Sequence, residues 1–459
     1  MDTKIYLERR RELRRSIADG AILLLGLNEA PRNYLANPYP FRQDSHLLYY
    51  TGINLPDVAL LILPDGKEFF YGSGDDIDTI VWTGPHPSVA DTAASAGLAH
   101  SDDISRLKDQ LDNLVSFGLK INYLPPYRIE QALKLSVYLN LPIPKVAGGA
   151  SPKLVQAVAR QRSIKSADEV AEIEDALSVT AAMYQAALQN TRPGKLESEI
   201  AGLMQGLALA KNREQAFLPI VSIHGEVLHN NYYGNTMRDG DLLLIDSGVE
   251  SPHWYASDIT RTFPVSGSFT EQQKGIYQVV LNAQLAVIAA ASPRVSNRDL
   301  HFIAARAIAD GLKDLGLMRG DMVEAVRAGA HALFFPHGIG HMLGLDVHDM
   351  EDLGDVVGYP PDEKRSTQFG LGFLRLARRL EPGFVITNEP GVYFVPPLID
   401  LWESEKKHEV FINYEEARRY RGFGGIRIED DLLITADGCR VLGPAIPKTI
   451  RDIELSMKG

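Results

Sequence analysis

The sequence predicts two domains in tandem, an α/β N-terminal domain over residues 1–160 and an α+β C-terminal domain over residues 161–459. Three observations predict it. The 459 residues exceed what one hydrophobic core usually spans. Up to about residue 145, short apolar runs alternate with helix-like stretches, which is an α/β pattern. The stretches 148–151 and 163–166 then flank a change of composition, after which long helical patterns and hairpin-forming strands take over. An apolar content of 45% beside 23% charged residues is enough for real cores.

Taken in order, the chain opens on an amphipathic helical segment, MDTKIYLERRRELRRSIADG, followed by the apolar run 21–27, read as a first buried strand. That run is too short for a membrane span of about 20 apolar residues, and no small-residue cleavage site follows it. The runs VALLIL, KEFFY, TIVW and KINYL read as further strands, and Ile129–Leu139 as a helix. Beyond the boundary, helices are expected at 168–189, 196–210, 270–291 and 297–315, and strands at 241–246, 258–265, 384–388 and 426–435. The segment DSGVESPHWYASD suggests an antiparallel hairpin, and 351–372, rich in Gly, Pro and Asp, reads as a loop. In GLGFLRLARRLEPG, Leu371, Leu374, Ala377 and Leu380 recur at helical spacing, so a short helix is expected there.

A formal net charge of −12 argues against a surface that grips nucleic acid. The single cysteine, Cys439, cannot form an intrachain disulfide, which fits a reducing, cytoplasmic compartment.

Four carboxylates and one histidine stand where apolar strands normally exclude charge: Asp246 in LLLIDSG, Asp258 in YASDITRTF, His341 in HGIGHMLG, Glu389 in VITNEPG and Glu429 in GIRIEDD. Each alone has a plain structural explanation, since Asp before Ser-Gly is a common turn device. Together they imply compensation by cations, because buried carboxylates that converge repel one another. A donor set rich in carboxylate with one imidazole suits Mn²⁺, Co²⁺ or Zn²⁺. His337 and His341 do not make a zincin pair, for Gly338, Ile339 and Gly340 lie between them, with no Glu and little helix propensity.

This series, set in HGIGHMLGLDVHD, LEPGFVITNEPGVYF and RGFGGIRIEDD, resembles the pita-bread metallopeptidases (peptidase family M24B), closest to the branch containing prolidase and aminopeptidase P. FRQDSHLLYYTGINLPDVALLI is similar to the creatinase-like N-terminal domain of that branch, so the resemblance covers nearly the whole chain. It implies a creatinase-like domain followed by a pita-bread catalytic domain. It also implies hydrolysis of the Xaa-Pro bond by two divalent metal ions, Mn²⁺ first and Co²⁺ or Zn²⁺ as alternatives. In that scheme Asp246 and Glu429 bridge the metals, Asp258 completes one, and His341 with Glu389 completes the other, Glu389 serving also as general base. One departure is visible: Asp246 and Asp258 are twelve apart where the family usually has eleven, which an extra residue in the hairpin loop around residues 251–254 would absorb, whereas a bulge would shift Asp258.

By the same resemblance His229, His337 and His348 contact substrate or shuttle protons, although an isolated histidine is more often a satisfied core residue. Arg427, two residues before Glu429 and on the same face of a strand, would orient the ligand carboxylates or the substrate. Phe217 and Ile220 would wall the prolyl pocket, and Trp82 would reach the neighbouring site in a homodimer. Arg375, fourteen residues before Glu389, falls where prolidases bind the free carboxylate of a dipeptide. The expected substrates are therefore Xaa-Pro dipeptides, with aminopeptidase P activity on longer peptides as the alternative and a non-catalytic binding protein as the second. No membrane partner is expected.

Overall fold

Helix Thr3–Ser16 begins where Asp2 accepts a hydrogen bond from the Lys4 amide, and it buries Tyr6, Arg9, Arg10 and Leu13. The computed structural model that contains it describes residues 1–458. These divide into two units, Met1–Arg162 with Met350–Val356, and Ser163–Asp349 with the described residues from Val357 onward.

The first unit is built on a five-stranded mixed sheet of β1 (Ala21–Leu25), β2 (Ala59–Ile62), β3 (Glu68–Gly72), β4 (His100–Asp103) and β5 (Ile121–Asn122), in the order β4-β3-β2-β1-β5. β1 pairs antiparallel with β2 and parallel with β5. Ala21, Leu23, Ala59, Leu61 and Tyr71 meet helix residues Leu107, Leu111 and Leu135 in one core, the pattern the alternating runs predict. The run TIVW is not a strand. It lies in helix Ile77–Thr83, capped by Asp76 and with no buried residue, so its β-branched composition carries no sheet.

In the second unit, helix Ala167–Asn190 starts at a capping box between Ser166 and Glu169. Helices Glu271–Ala290 and Asn297–Asp314 start the same way, at Thr270 with Gln273 and at Ser296 with Asp299. Against them lie three small sheets. β6 (Ile220–Ser222), β7 (Leu242–Ser247) and β8 (Ile259–Pro264) form one. β9 (Val385–Asn388), β12 (Asp430–Ile434) and β13 (Cys439–Val441) form the second, and β10 (Gly391–Tyr393) pairs with β11 (Gly425–Arg427) in the third. The expected strand 426–435 is therefore two strands, which change partner at Ile428 and Glu429. This is the pita-bread architecture.

The expected helix over 371–380 is absent. Only the turn Leu371–Phe373 is helical, Leu374 is extended, and no helix follows within the segment. The amides of Ala377 and Arg378 both donate to the Gly358 carbonyl, that of Leu380 to the Val295 carbonyl, and Arg379 bridges to Ser296. Long-range partners thus replace the local bonds a helix would need. The hairpin of β7 and β8 keeps one register through Asp246 with Thr260, Ser247 with Ile259 and Glu250 with Ala256. Its turn is absorbed at Trp254, in the left-handed region at φ 64°, so no bulge displaces Asp258.

Candidate metal centre

Asp246 lies near the end of β7, Asp258 just before β8, Glu389 just after β9, and Glu429 at the change of partner between β11 and β12. Strand ends let a charged side chain leave the sheet while the flanking apolar residues stay packed. His341 arrives on a loop whose backbone runs beside β9: the amides of Glu389 and Thr387 donate to the carbonyls of Ile339 and His341, and that of Leu343 to Val385. Gly340 is required for this approach, since a Cβ there would stand 2.1 Å from the Thr387 carbonyl oxygen. Glycines 338 and 340 therefore serve an extended path, not a helix.

Ligand atoms of Asp258, His341 and Glu429 lie within 4.8 Å of one another. The His341 Nε2 is 3.5 Å from Asp258 Oδ2 and 3.7 Å from Glu389 Oε1. Its Nδ1 sits 3.1 Å from the Met342 carbonyl, which can only accept, so Nδ1 carries the proton and the Nε2 lone pair faces the carboxylates. Thr260 Oγ1 donates to Glu429 Oε2 at 2.6 Å, and the Asp258 amide donates to Asp431 Oδ2 at 3.1 Å. Asp246 Oδ2 accepts from Arg427 Nη2 at 2.5 Å. Asp246 Oδ1 and Asp258 Oδ1 are buried with no hydrogen-bond partner.

Burial, followed by the charges of Asp246, Asp431 and Glu389, holds the Asp258 carboxyl well above its usual range. Glu429 is raised by burial and then by Asp258, Glu389 and Asp246. Burial also raises Glu389. A pocket in which four carboxylates outnumber the single guanidinium of Arg427 that bonds them, with orphaned carboxylate oxygens and an imidazole lone pair aimed at them, is the donor set that divalent cations require. The residues present fit such ions.

Around this centre, the His348 ring meets that of His341 edge-on at 4.2 Å between centroids. His337 Nδ1 donates to the Gly338 carbonyl at 2.8 Å, and Nε2 accepts from the Tyr393 hydroxyl at 2.8 Å. Burial and then Arg427 push the His337 pKa down to about 3, so its ring is neutral. His229 stands at the solvent edge, its pKa lowered by desolvation and then by Arg427, with Arg375 and His348 among the charges it feels. Arg375 acts likewise on Glu389 and His337. Ile220 packs with Leu244 and Tyr393 in a small core, Phe217 is half-buried in the loop before β6, and Trp82 is 84% exposed on its helix in the other unit.

Sequence reasoning missed Tyr393, which ties Arg427 Nη1 to His337, and Thr260, whose hydroxyl joins Glu429 to Arg427 Nε at 3.0 Å. Arg427 ends β11 and Glu429 follows outside the strand, and the two side chains meet at the Thr260 hydroxyl, Arg427 reaching Asp246 as well.

The family model "Metallopeptidase family M24" matches residues 171–436, and "Aminopeptidase P, N-terminal domain" matches residues 6–121. Human Xaa-Pro dipeptidase is 34% identical over 67% of this chain and 62% of its own length; the chain thus spans about three fifths of that relative. The Xaa-Pro aminopeptidase of Escherichia coli is 31% identical over 98% of this chain and 97% of its own. Among solved structures, proline aminopeptidase P II from Yersinia pestis superposes with a TM-score of 0.84 at 30% identity, covering 100% of both chains. No helix of the described residues is long and apolar enough to cross a membrane.

Proposed function

The chain belongs to metallopeptidase family M24, and from that premise we propose that it is a metal-dependent peptidase that hydrolyses the bond preceding proline. The observation that carries this reading is the acceptor-only cluster of Asp258, His341 and Glu429. With Asp246 and Glu389 these residues would hold two divalent cations, Mn²⁺ first and Co²⁺ or Zn²⁺ as alternatives. Such ions supply Lewis acidity and lower the pKa of water.

The remaining work falls to the chain's own groups. Glu389, whose pKa burial has raised, takes the proton of the attacking water and passes it on. His229, depressed and hence neutral at pH 7, offers the peptide a hydrogen bond without adding charge, and neutral His337, its two ring nitrogens engaged by Gly338 and Tyr393, presents its ring beside the centre. Arg427 holds Asp246 in place and, through Tyr393, fixes the ring of His337. Ile220 and Phe217 wall the prolyl ring.

Dipeptides are the preferred substrates, with Arg375 gripping the free carboxylate; its influence on Glu389, His229 and His337 together supports a place at the substrate end. A second reading, aminopeptidase P activity on longer peptides, draws support from the nearly full-length similarity to the E. coli enzyme. Rates on Ala-Pro and Ala-Pro-Ala with added Mn²⁺ separate the two. We expect kcat/KM to favour Ala-Pro by at least about tenfold, roughly 1.4 kcal/mol, and Arg375→Ala to erase the preference. Equal rates on both peptides assign the second reading.

The chain acts as a homodimer in which Trp82 caps the neighbouring site. Support comes from Ile77, Val81 and Trp82, 72%, 70% and 84% exposed on one short helix. Light scattering should give a dimer and Trp82→Ala a raised KM at unchanged thermal stability; an active monomer removes this assignment.

A further inference from the structure

Lysine is almost never fully buried without a partner, yet Lys165, in the polar stretch just before helix Ala167–Asn190, is. Its Nζ lies 2.7 Å from Asp349 Oδ2, and both side chains are 1% exposed. Removing two charges from water costs about as much as their attraction returns, so such a pair is weak evidence for stability. Its connections point to another purpose. The Asp349 amide donates to the Met342 carbonyl at 2.9 Å, and the same carbonyl accepts His341 Nδ1 at 3.1 Å. The Asp346 amide reaches Asp349 Oδ1 at 3.4 Å, and a Cβ on Gly344 would stand 2.5 Å from Oδ2, so the turn closes around this carboxylate. His348, the next residue back, lies against the ring of His341. The Lys165 amide donates to the Gly383 carbonyl at 2.8 Å, two residues before β9, the strand that Glu389 directly follows.

We propose that Lys165 is a positioning residue: paired with Asp349, it holds the turn whose Met342 carbonyl aims the His341 Nε2 lone pair into the carboxylate cluster. The proposal rests on the reading of His341 as a metal ligand. Lys165 is not itself a proton donor to substrate, because its ammonium is enclosed and bonded to Asp349. Its two attachments instead tie the His341 turn and the approach to Glu389 to one point, so both groups share a reference frame.

The test uses the full chain, stripped of metal and titrated with Mn²⁺ by calorimetry, with kcat and KM on Ala-Pro and thermal denaturation beside it. Lys165→Met leaves a buried carboxylate without its lysine and can fail to fold for that reason. The neutral pair Lys165→Met with Asp349→Asn removes both charges together and keeps the proposal falsifiable. In that double variant we expect Mn²⁺ affinity and kcat each to fall at least tenfold, KM to change less than twofold, and the melting temperature of the metal-free protein to stay near that of the parent. Lys165→Arg should recover part of the Mn²⁺ affinity. A double variant that binds Mn²⁺ and turns over like the parent overturns the positioning role and leaves a structural pair. A parent protein that binds no Mn²⁺ and cleaves no Xaa-Pro peptide overturns the functional reading itself, and this proposal with it.

Discussion

Glu429 and Asp430 are neighbours in sequence, equally buried, and opposite in fate. Asp430 accepts from Arg261 Nη2 at 2.7 Å, Lys448 Nζ at 2.5 Å and Gln284 Nε2 at 2.6 Å. Burial would raise its pKa, but Arg261 and Lys448 prevail and hold it below the usual carboxylate range. Glu429 turns the other way, into burial and the charges of Asp258, Glu389 and Asp246, and is raised. The depth is the same; the supply of positive charge differs. On one side the protein closes its carboxylate with its own cations, and on the other it gathers carboxylates and leaves oxygens of Asp246 and Asp258 without partners. Burial alone therefore does not mark a metal site. Burial with acceptors in excess does.

The largest expected effect breaks the comparison by removing each carboxylate in turn. Glu429→Ala should lower kcat/KM at least about a thousandfold, roughly 4 kcal/mol, while the metal-free protein melts no lower than the parent, since a repelled carboxylate is gone. Added Mn²⁺ should no longer raise its melting temperature, whereas the parent at a hundredfold excess over Kd gains about 2.7 kcal/mol. Asp430→Ala should do the reverse, destabilising by roughly 3–5 kcal/mol by leaving Arg261 buried without its carboxylate counter-charge. Full turnover and an intact Mn²⁺ shift in Glu429→Ala would deny that the acceptor-rich face is built for cations.

The sequence makes one half of this contrast legible and hides the other. Asp246, Asp258, Glu389 and Glu429 announce themselves because each interrupts an apolar run, and the helices Ala167–Asn190, Glu271–Ala290 and Asn297–Asp314 are marked by Ser or Thr three residues before an acid or amide. Partners are another matter. Thr260 and Tyr393 are ordinary strand residues, chosen by cross-strand neighbours that no local pattern encodes. Lys165 and Asp349 are 184 residues apart. The segment 371–380 fails for the same reason: its spacing is helical, but carbonyls of Gly358 and Val295 claim its amides. Ile77–Thr83 fails in the other direction, for strand-like composition carries no weight where nothing is buried.

The smallest expected effect sharpens the contrast at the level of single hydrogen bonds. Thr260 Oγ1 both donates to Glu429 and accepts from Arg427 Nε, so it links the carboxylate cluster to its guanidinium. Thr260→Val keeps the shape and deletes the link. A hydrogen bond to a charged group contributes about 1.5–3 kcal/mol, part of which Glu429 recovers elsewhere, so kcat/KM on Ala-Pro should fall roughly fivefold to tenfold, with Thr260→Ser restoring it. The counterpart on the other face is Lys448, 23% exposed in its side chain and one of three donors to Asp430. Lys448→Met should cost about 1–2 kcal/mol of folding stability, measured by denaturant titration, because Arg261 and Gln284 still serve the carboxylate. Its turnover should stay within about twofold of the parent. If both variants instead lose turnover equally, Glu429 and Asp430 belong to one cooperative network, and the division between a closed face and a cation-seeking face gives way to a single field acting across β12.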